Sequence, residues 1–310
     1  MHYQPPNQQS NFQQYAKIPT QFLGQNMRYI LWFLTYYIMA VLFYALILSQ
    51  PIFITAIVCA FYFAVAIVIA LLLGDKILKI IEGIRPIETR REAEYLIPLF
   101  ESVYFDAITT FPNVPRVDLC MLDSPSINAF AIGSHTVAVT QGAIDTFSED
   151  ELKAVIAHEI AHIYYGHSKV AMLNMLGNGA FSLHIVFIRW ALRFFDALHS
   201  LFTGQSGGFF SVLLTLLCKV LNMLVNAFLF LGNIILSGNS RKNEFTADRF
   251  AHQVGYGKEL TEALYLLHKM SLGDNQMLIQ RMMSSHPRTS KRINKLEELQ
   301  EQEHRQKARP

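Results

Sequence analysis

An uncharged segment of unusual length dominates the first quarter of the chain. No Asp, Glu, Lys or Arg occurs between Tyr29 and Gly74, and the run is interrupted only by a short polar break, Ser49-Gln50-Pro51. The flanking segments, Tyr29–Leu48 and Pro51–Leu73, are each long enough to cross a bilayer as a helix, which takes about 20 residues. Composition agrees, because only 16% of the residues are charged, whereas soluble domains usually carry about 25%. The sequence therefore predicts a mainly α-helical membrane protein rather than a pair of buried core helices.

Positive charges after the second segment predict its orientation. Basic side chains follow Gly74 within a short stretch, namely Lys76, Lys79, Arg85, Arg90 and Arg91. Lys and Arg are enriched on the cytoplasmic side of membrane proteins, so this side is predicted to be cytoplasmic. The Gln-, Asn- and Pro-rich lead of residues 1–28 is predicted to be a disordered tail.

A second apolar zone covers residues 170–237 and contains polar interruptions such as Arg189, Arg193 and Asp196. Two spans or two helices half sunk in the membrane surface both fit this pattern. The predicted organisation is a tail (1–28), a transmembrane hairpin (29–74), the first part of a cytoplasmic domain (75–169), the second apolar zone (170–237) and the second part of that domain (238–310).

The cytoplasmic domain is predicted to mix helices with a small β-sheet. Ile87–Phe111 has the pattern of an amphipathic helix. Ser148 and Glu151 form a capping box, which predicts that a helix begins at Glu149. Three segments with strand character precede this helix, namely Arg116–Leu122, Ile127–Ile132 and Thr136–Thr140.

The helix that begins at Glu149 carries the sequence HEIAH at residues 158–162. Residues i and i+4 share a helix face, so His158 and His162 can present two imidazoles to one ion. Glu159 projects beside them as a candidate general base, which is the pattern of a zinc protease. The same letters also occur in helices whose histidines are simply exposed or capping.

A catalytic zinc needs a third protein ligand and an open position. A histidine six residues after His162 would serve, but Ser168 stands there and His167 is one residue out of register. The segment NSRKNEFTADRFAHQ (239–253) instead offers Glu244 as the third ligand. Asp248, one turn later, can hold the far ring nitrogen of a ligand histidine. Without HEIAH, these two acids would indicate only a solvated helix face.

Taken together, these features resemble the HtpX family of membrane zinc metalloproteases, relatives of the CAAX prenyl proteases. The shared features are the paired apolar segments, the second apolar zone and four motifs. These motifs are INAFAIG (127–133), HEIAH (158–162), RKNEFTAD (241–248) and SSHPRTSKRI (284–293).

The resemblance implies a gluzincin-type α+β metalloprotease domain that holds one Zn²⁺ per chain. His158, His162 and Glu244 would be its ligands and Glu159 its general base. His286 would either stabilise the oxyanion or serve as a capping or turn histidine, and Arg292 would form a structural ion pair. No role is predicted for His167. An edge strand would bind an extended peptide through Asn128, Ala129, Phe130 and Ala131.

The expected function is hydrolysis of peptide bonds in misfolded or damaged membrane proteins, as part of protein quality control and stress response. By resemblance, the location is a bacterial-type inner membrane, and the expected partners are polypeptides and lipid. A net charge of +2 does not favour nucleic acid, and no G-x-x-x-x-G-K-[ST] motif for a nucleotide occurs. Two alternatives remain: a narrower processing peptidase of the CAAX type, and a non-catalytic membrane adaptor stabilised by zinc.

Overall fold

The computed structural model describes residues 31–42, 44–45, 49–203, 242–271 and 289–307, with scattered helical positions between 212 and 227. These residues form a mostly helical structure with one small mixed sheet, as the sequence predicted. The tail of residues 1–28 and His286 lie outside the described residues.

Two apolar helices, α1 (Leu31–Leu42) and α2 (Ile52–Glu82), occupy the predicted hairpin segments. Helix α2 starts after Pro51 and ends at Gly83, whose φ of 70° is the left-handed conformation common after a helix. Among the described residues, α2 is the one helix long and apolar enough to span a membrane. Its large apolar side chains point outward, and Phe53 and Phe61 are 73% and 72% exposed. Helix α2 continues past the predicted end at Leu73.

The second apolar zone begins with α6, a single helix from His167 to Thr203. The charged residues that interrupt the apolar pattern, such as Arg189 and Arg193, lie within this helix, because neither residue breaks a helical backbone. Much of the rest of this zone lies outside the described residues. Whether it contains spans or surface helices therefore stays a prediction.

The domain also contains a four-stranded sheet with the strand order β1-β2-β4-β3. Strands β3 and β4 make an antiparallel hairpin through Gly133 and Ser134, while β2 pairs with β4 in parallel. This order leaves β3 at an edge of the sheet. The three predicted strands are confirmed: β2 and β3 each begin two residues later than predicted, and β4 has its predicted bounds. Strand β1 had no sequence signal. The strands are β1 (Arg85–Pro86), β2 (Asp118–Leu122), β3 (Ala129–Ile132) and β4 (Thr136–Thr140).

Helices pack around α5 to form the main core. Helix α3 begins after the capping box of Thr89 and Glu92, so it starts three residues later than predicted from Ile87. Its buried Leu96 and Val103 pack with Ile156 of α5. The helices around the sheet are α3 (Arg90–Thr110), α4 (Gln141–Thr146), α5 (Glu149–Tyr164), α7 (residues 242–251), α8 (Gly257–Ser271) and α9 (Thr289–Lys307), and a π-helical turn (His252–Tyr256) joins α7 to α8.

The end of α2 is joined to the β3–β4 turn. The carboxylate of Asp75 accepts hydrogen bonds from the backbone N–H of Ser134 at 3.3 and 3.4 Å. Gly133 has a φ of 58°, and a Cβ there would collide with the same carboxylate. Glycine is thus required both by the backbone conformation and by the close approach of Asp75. The contact fixes the edge strand relative to the apolar helix.

Candidate active site

Helix α5 carries the HEIAH sequence into the interior of the domain. It begins at Glu149, as predicted, because Ser148 and Glu151 form a complete capping box. The exposed fractions of His158, Glu159 and His162 are 2%, 2% and 9%. Buried polar side chains need partners, since an unpaired one costs free energy. The burial therefore argues against histidines that merely face solvent.

Helix α7 brings Glu244 against both imidazoles. Nε2 of His158 lies 3.2 Å from Nε2 of His162. The two carboxylate oxygens of Glu244 lie 3.4 Å from Nε2 of His158 and 3.5 Å from Nε2 of His162. Three donors bound to one tetrahedral ion at zinc distances would be separated by roughly 3.3 Å. The two imidazole nitrogens and the carboxylate therefore fit a single zinc ion.

Asp248 and Arg292 pack against this cluster. Oδ1 of Asp248 lies 3.0 Å from Nδ1 of His158, the far ring nitrogen. Arg292, from α9, donates to both oxygens of Asp248 at 2.8 and 2.6 Å. Its other terminal nitrogen reaches Glu244 at 2.9 Å. The sequence predicted a structural ion pair for Arg292, and this pair lies within the site itself.

The electrostatics of the cluster favour a charged Asp248 and a protonated His158. Burial and the charge of Arg292 both oppose protonation of His158, yet Asp248 and Glu244 together raise the pKa of its imidazole to about 9. Burial would raise the pKa of Asp248, but the neighbouring guanidinium of Arg292 holds it below its usual value. The carboxylates thus favour a positive charge at His158, which a bound cation can supply in place of the proton.

His167 contacts the edge of the His162 ring that points away from His158 and Glu244. The Nδ1 atoms of the two rings are 3.1 Å apart, and His167 is only 6% exposed. Burial lowers the pKa of His167 to about 4, so its ring is neutral. On one continuous helix, a residue five positions after His162 would point roughly 140° away. The chain instead breaks at Gly166, whose φ is 72°, and α6 starts by folding His167 back over α5.

Strand β3 runs beside the catalytic segment of α5. The backbone N–H of Ala131 donates a hydrogen bond to Oε2 of Glu159 at 2.8 Å. Asn128 has the opposite orientation, since its N–H and C=O both pair with Thr140 at the end of β4. Because backbone groups alternate along a strand, the N–H of Ala129 points outward like that of Ala131. The outward side of β3 therefore faces the site.

An apolar cavity of about 80 Å³ opens beside this strand. His158 and Glu159 form part of its wall, next to Ala129. The rest of its lining comes mainly from aliphatic side chains, including Ile127, Val155, Leu260, Leu264 and Leu267. A side chain that enters this cavity from the edge strand would be apolar.

The structure brings most of the predicted site residues together. His158, Glu159, His162, Glu244 and Asp248 form one buried cluster. The edge-strand residues Asn128–Ala131 lie alongside it, with Ala129 and Ala131 facing the cluster. No role was predicted for His167, and its contact with His162 depends on a turn that helical spacing does not anticipate.

The chain is similar to a family of peptidases and to several named proteases. The model of Peptidase family M48 matches residues 91–300. A protease HtpX homolog of Aquifex aeolicus is 28% identical over 248 residues, covering 73% of this chain and 78% of the relative. Protease HtpX of Aliivibrio fischeri is 30% identical over 235 residues, covering 68% and 75%. The crystal structure of S. mikatae Ste24p aligns with a TM-score of 0.45 and 22% identity, covering 90% of this chain and 67% of that one.

The family match covers more than half of the chain and includes all the clustered residues just described. The resemblance to HtpX proteases that the motifs predicted is confirmed by relatives of that name. The chain belongs to peptidase family M48 and is a metalloprotease.

Proposed function

We propose that this chain is a membrane-embedded zinc endopeptidase whose single Zn²⁺ is held by His158, His162 and Glu244. The observation that carries the proposal is the convergence of these three donors at separations of 3.2, 3.4 and 3.5 Å. Glu159 also lies near the imidazoles, but its Oε2 is bound by the N–H of Ala131. Glu159 is therefore the general base rather than a ligand.

The bound zinc would supply a Lewis acid that activates water and polarises the scissile carbonyl. Glu159 accepts the proton that the attacking water loses and delivers it to the leaving amine. Asp248 fixes the ring of His158 through Nδ1, and Arg292 neutralises part of the carboxylate charge. The products are a carboxylic acid and an amine, so the reaction consumes one water for each peptide bond. His286, which lies outside the described residues, is proposed as the oxyanion donor.

Substrate binding is proposed to occur along the edge of β3. An extended peptide can add to an edge strand through its own backbone, which allows many sequences to be accepted. Asn128, Ala129, Phe130 and Ala131 form this edge. The apolar cavity next to Glu159 would receive one side chain close to the scissile bond. An apolar preference at that position suits segments that are normally buried in a membrane or a protein core.

The proposed substrates are misfolded or damaged membrane proteins, cut on the cytoplasmic side of a bacterial-type inner membrane. The exposed apolar surface of α2 supports a membrane location, since such a surface is unusual in water. The proposed organisation has a hairpin at 29–74, a second membrane-associated zone at 170–237, and catalytic segments at 75–169 and 238–310. The basic residues in the last turns of α2 and directly after it support a cytoplasmic catalytic domain. Quality control during stress is the proposed physiological role.

Metal content and cleavage, measured on the same preparation, test the proposed function. The full chain is purified in detergent, its zinc is quantified, and an unfolded protein is added with and without a chelator. We expect one zinc per chain, cleavage that stops with the chelator, and recovery when zinc is restored. A preparation that holds no zinc and cleaves equally well with the chelator would contradict the proposal.

A further inference from the structure

His167 stands in an unusual relation to the proposed metal ligand His162. Its Nδ1 lies 3.1 Å from Nδ1 of His162, with the ring planes at 63°. Two features fix the position of the His167 ring. Its backbone begins helix α6, and the ring stacks on Tyr165 at a centroid distance of 5.6 Å. The contact is thus built into the junction between α5 and α6.

The proton positions follow from the geometry of His162. Its Nε2 faces His158 and Glu244, so binding a metal there requires a lone pair on Nε2. A neutral imidazole carries its single proton on the other nitrogen, which makes Nδ1 of His162 a donor. The atom facing it is Nδ1 of His167, which must accept. His167 then carries its own proton on Nε2.

The two ligand histidines are supported differently. The Nδ1 of His158 pairs with the carboxylate of Asp248, whereas the Nδ1 of His162 pairs with the neutral imidazole of His167. The cluster contains three carboxylates, those of Glu159, Glu244 and Asp248, and one guanidinium, that of Arg292. Its negative formal charges exceed the positive one by two, and a divalent cation balances this excess. A further carboxylate at position 167 would add an uncompensated buried charge, which is costly. A neutral acceptor avoids this cost.

We propose that His167 is a positioning residue that accepts the Nδ1–H of His162 and so orients its Nε2 toward the metal. This inference rests on the zinc site of the proposed function. Groups that hold the far nitrogen of a ligand histidine commonly change metal affinity when they are removed. His167 would then set the zinc affinity without touching the ion.

A second feature separates this role from a merely structural one. Nε2 of His167 is buried and has no hydrogen-bond partner among the residues that the structure describes. An unpaired buried donor destabilises a fold. An apolar ring of similar size at position 167 removes this unpaired donor, and without metal the proton of His162 can lie on Nε2, toward Glu244. The metal-free variant should therefore stay about as stable, while zinc binding becomes weaker.

The test compares His167→Phe with His167→Asn in the full chain in detergent. Phenylalanine keeps the ring and its stacking but cannot accept, whereas the amide oxygen of asparagine can replace Nδ1 as an acceptor. Zinc affinity is measured by competition with a chromophoric chelator, and the thermal stability of the metal-free protein is measured in parallel. We expect His167→Phe to weaken zinc binding about 10- to 100-fold. We expect His167→Asn to bind nearly as tightly as the unaltered chain.

His252→Phe serves as the matched control, because His252 pairs with Glu303 away from the site and should leave zinc affinity unchanged. If His167→Phe does not fold, His167→Met carries the same expectation. Unaltered zinc affinity in the apolar variants overturns the proposal, as does equal weakening by Asn and Phe. If the unaltered chain binds no zinc, the proposed function fails instead.

Discussion

Ala131 of the edge strand donates its backbone N–H to Oε2 of Glu159 at 2.8 Å. One of the edge groups that an incoming peptide would use is therefore already bound to the proposed general base. Substrate binding along β3 and the orientation of Glu159 are coupled through this contact. A peptide that adds to the strand arrives next to the carboxylate that must accept a proton.

Replacing Glu159 by Gln should abolish hydrolysis and preserve the metal site. The amide is close in size to the carboxylate but cannot take a proton from water, so cleavage should fall about 100- to 10,000-fold. Zinc content should match that of the unaltered chain. Peptide cleavage and bound zinc are measured on the same preparation.

Glu149→Gln provides the matched control, since Glu149 is an exposed acid at the start of the same helix, paired with Lys153. It should cleave normally. Full activity of the Glu159→Gln protein in cells would instead favour the adaptor alternative, in which zinc is only structural.

Peptide substrates should bind along β3 through alternate backbone groups. Outward C=O groups recur at Ala129 and Ala131, so the N–H of every second residue of an added strand donates to the edge. N-methylation of a peptide at successive positions should therefore weaken binding in a period-two pattern. The measurement is the inhibition constant of each methylated peptide against cleavage of a fixed substrate. Uniform sensitivity, or none, would contradict strand addition.

Asp248 should affect folding and metal binding separately. Asp248→Leu leaves the buried guanidinium of Arg292 without its main partner, which should cost about 3–5 kcal/mol of unfolding free energy. It should also weaken zinc binding about 10- to 100-fold, because His158 loses the partner of its Nδ1. Thermal unfolding of the zinc-loaded protein and chelator competition report the two effects.

Adding Arg292→Met to Asp248→Leu distinguishes these effects. An apolar pair can replace a buried ion pair with little loss of stability, so the double variant should recover most of the unfolding free energy. Zinc affinity should remain low. Recovery of both quantities would mean that Asp248 acts on the metal only through stability.

Features that depend on neighbouring residues were predicted from the sequence, whereas features that depend on contacts between distant segments were not. The capping box of Ser148 and Glu151 fixed the start of α5, because it depends on adjacent residues alone. Strand β1 and the parallel pairing of β2 with β4 depend on distant segments and left no local pattern. The approach of His167 to His162 required the left-handed turn at Gly166. Glu244 was predicted as the third ligand because a catalytic zinc needs three protein ligands.

Lysine pairs placed at two levels of α2 should reveal whether the helix lies in lipid. Val58 and Phe61 are 61% and 72% exposed in the apolar half, and Ile80 and Ile81 are 81% and 62% exposed near the end of the helix. If α2 lay in water, replacing either pair by lysines would change the stability of the protein little, because all four positions are at the surface. In a bilayer, each lysine near the centre costs about 2.5–3.5 kcal/mol, whereas lysines at a cytoplasmic boundary are favoured.

We therefore expect Val58→Lys/Phe61→Lys to reduce the fraction of chain that resists alkaline extraction from membranes. Ile80→Lys/Ile81→Lys, the matched pair, should leave that fraction unchanged. The comparison isolates the position of the charge along the helix, since both variants add the same two lysines to exposed sites. Equal extraction of the two variants and the unaltered chain would contradict a membrane-spanning α2, and the exposed apolar surface would then need another partner.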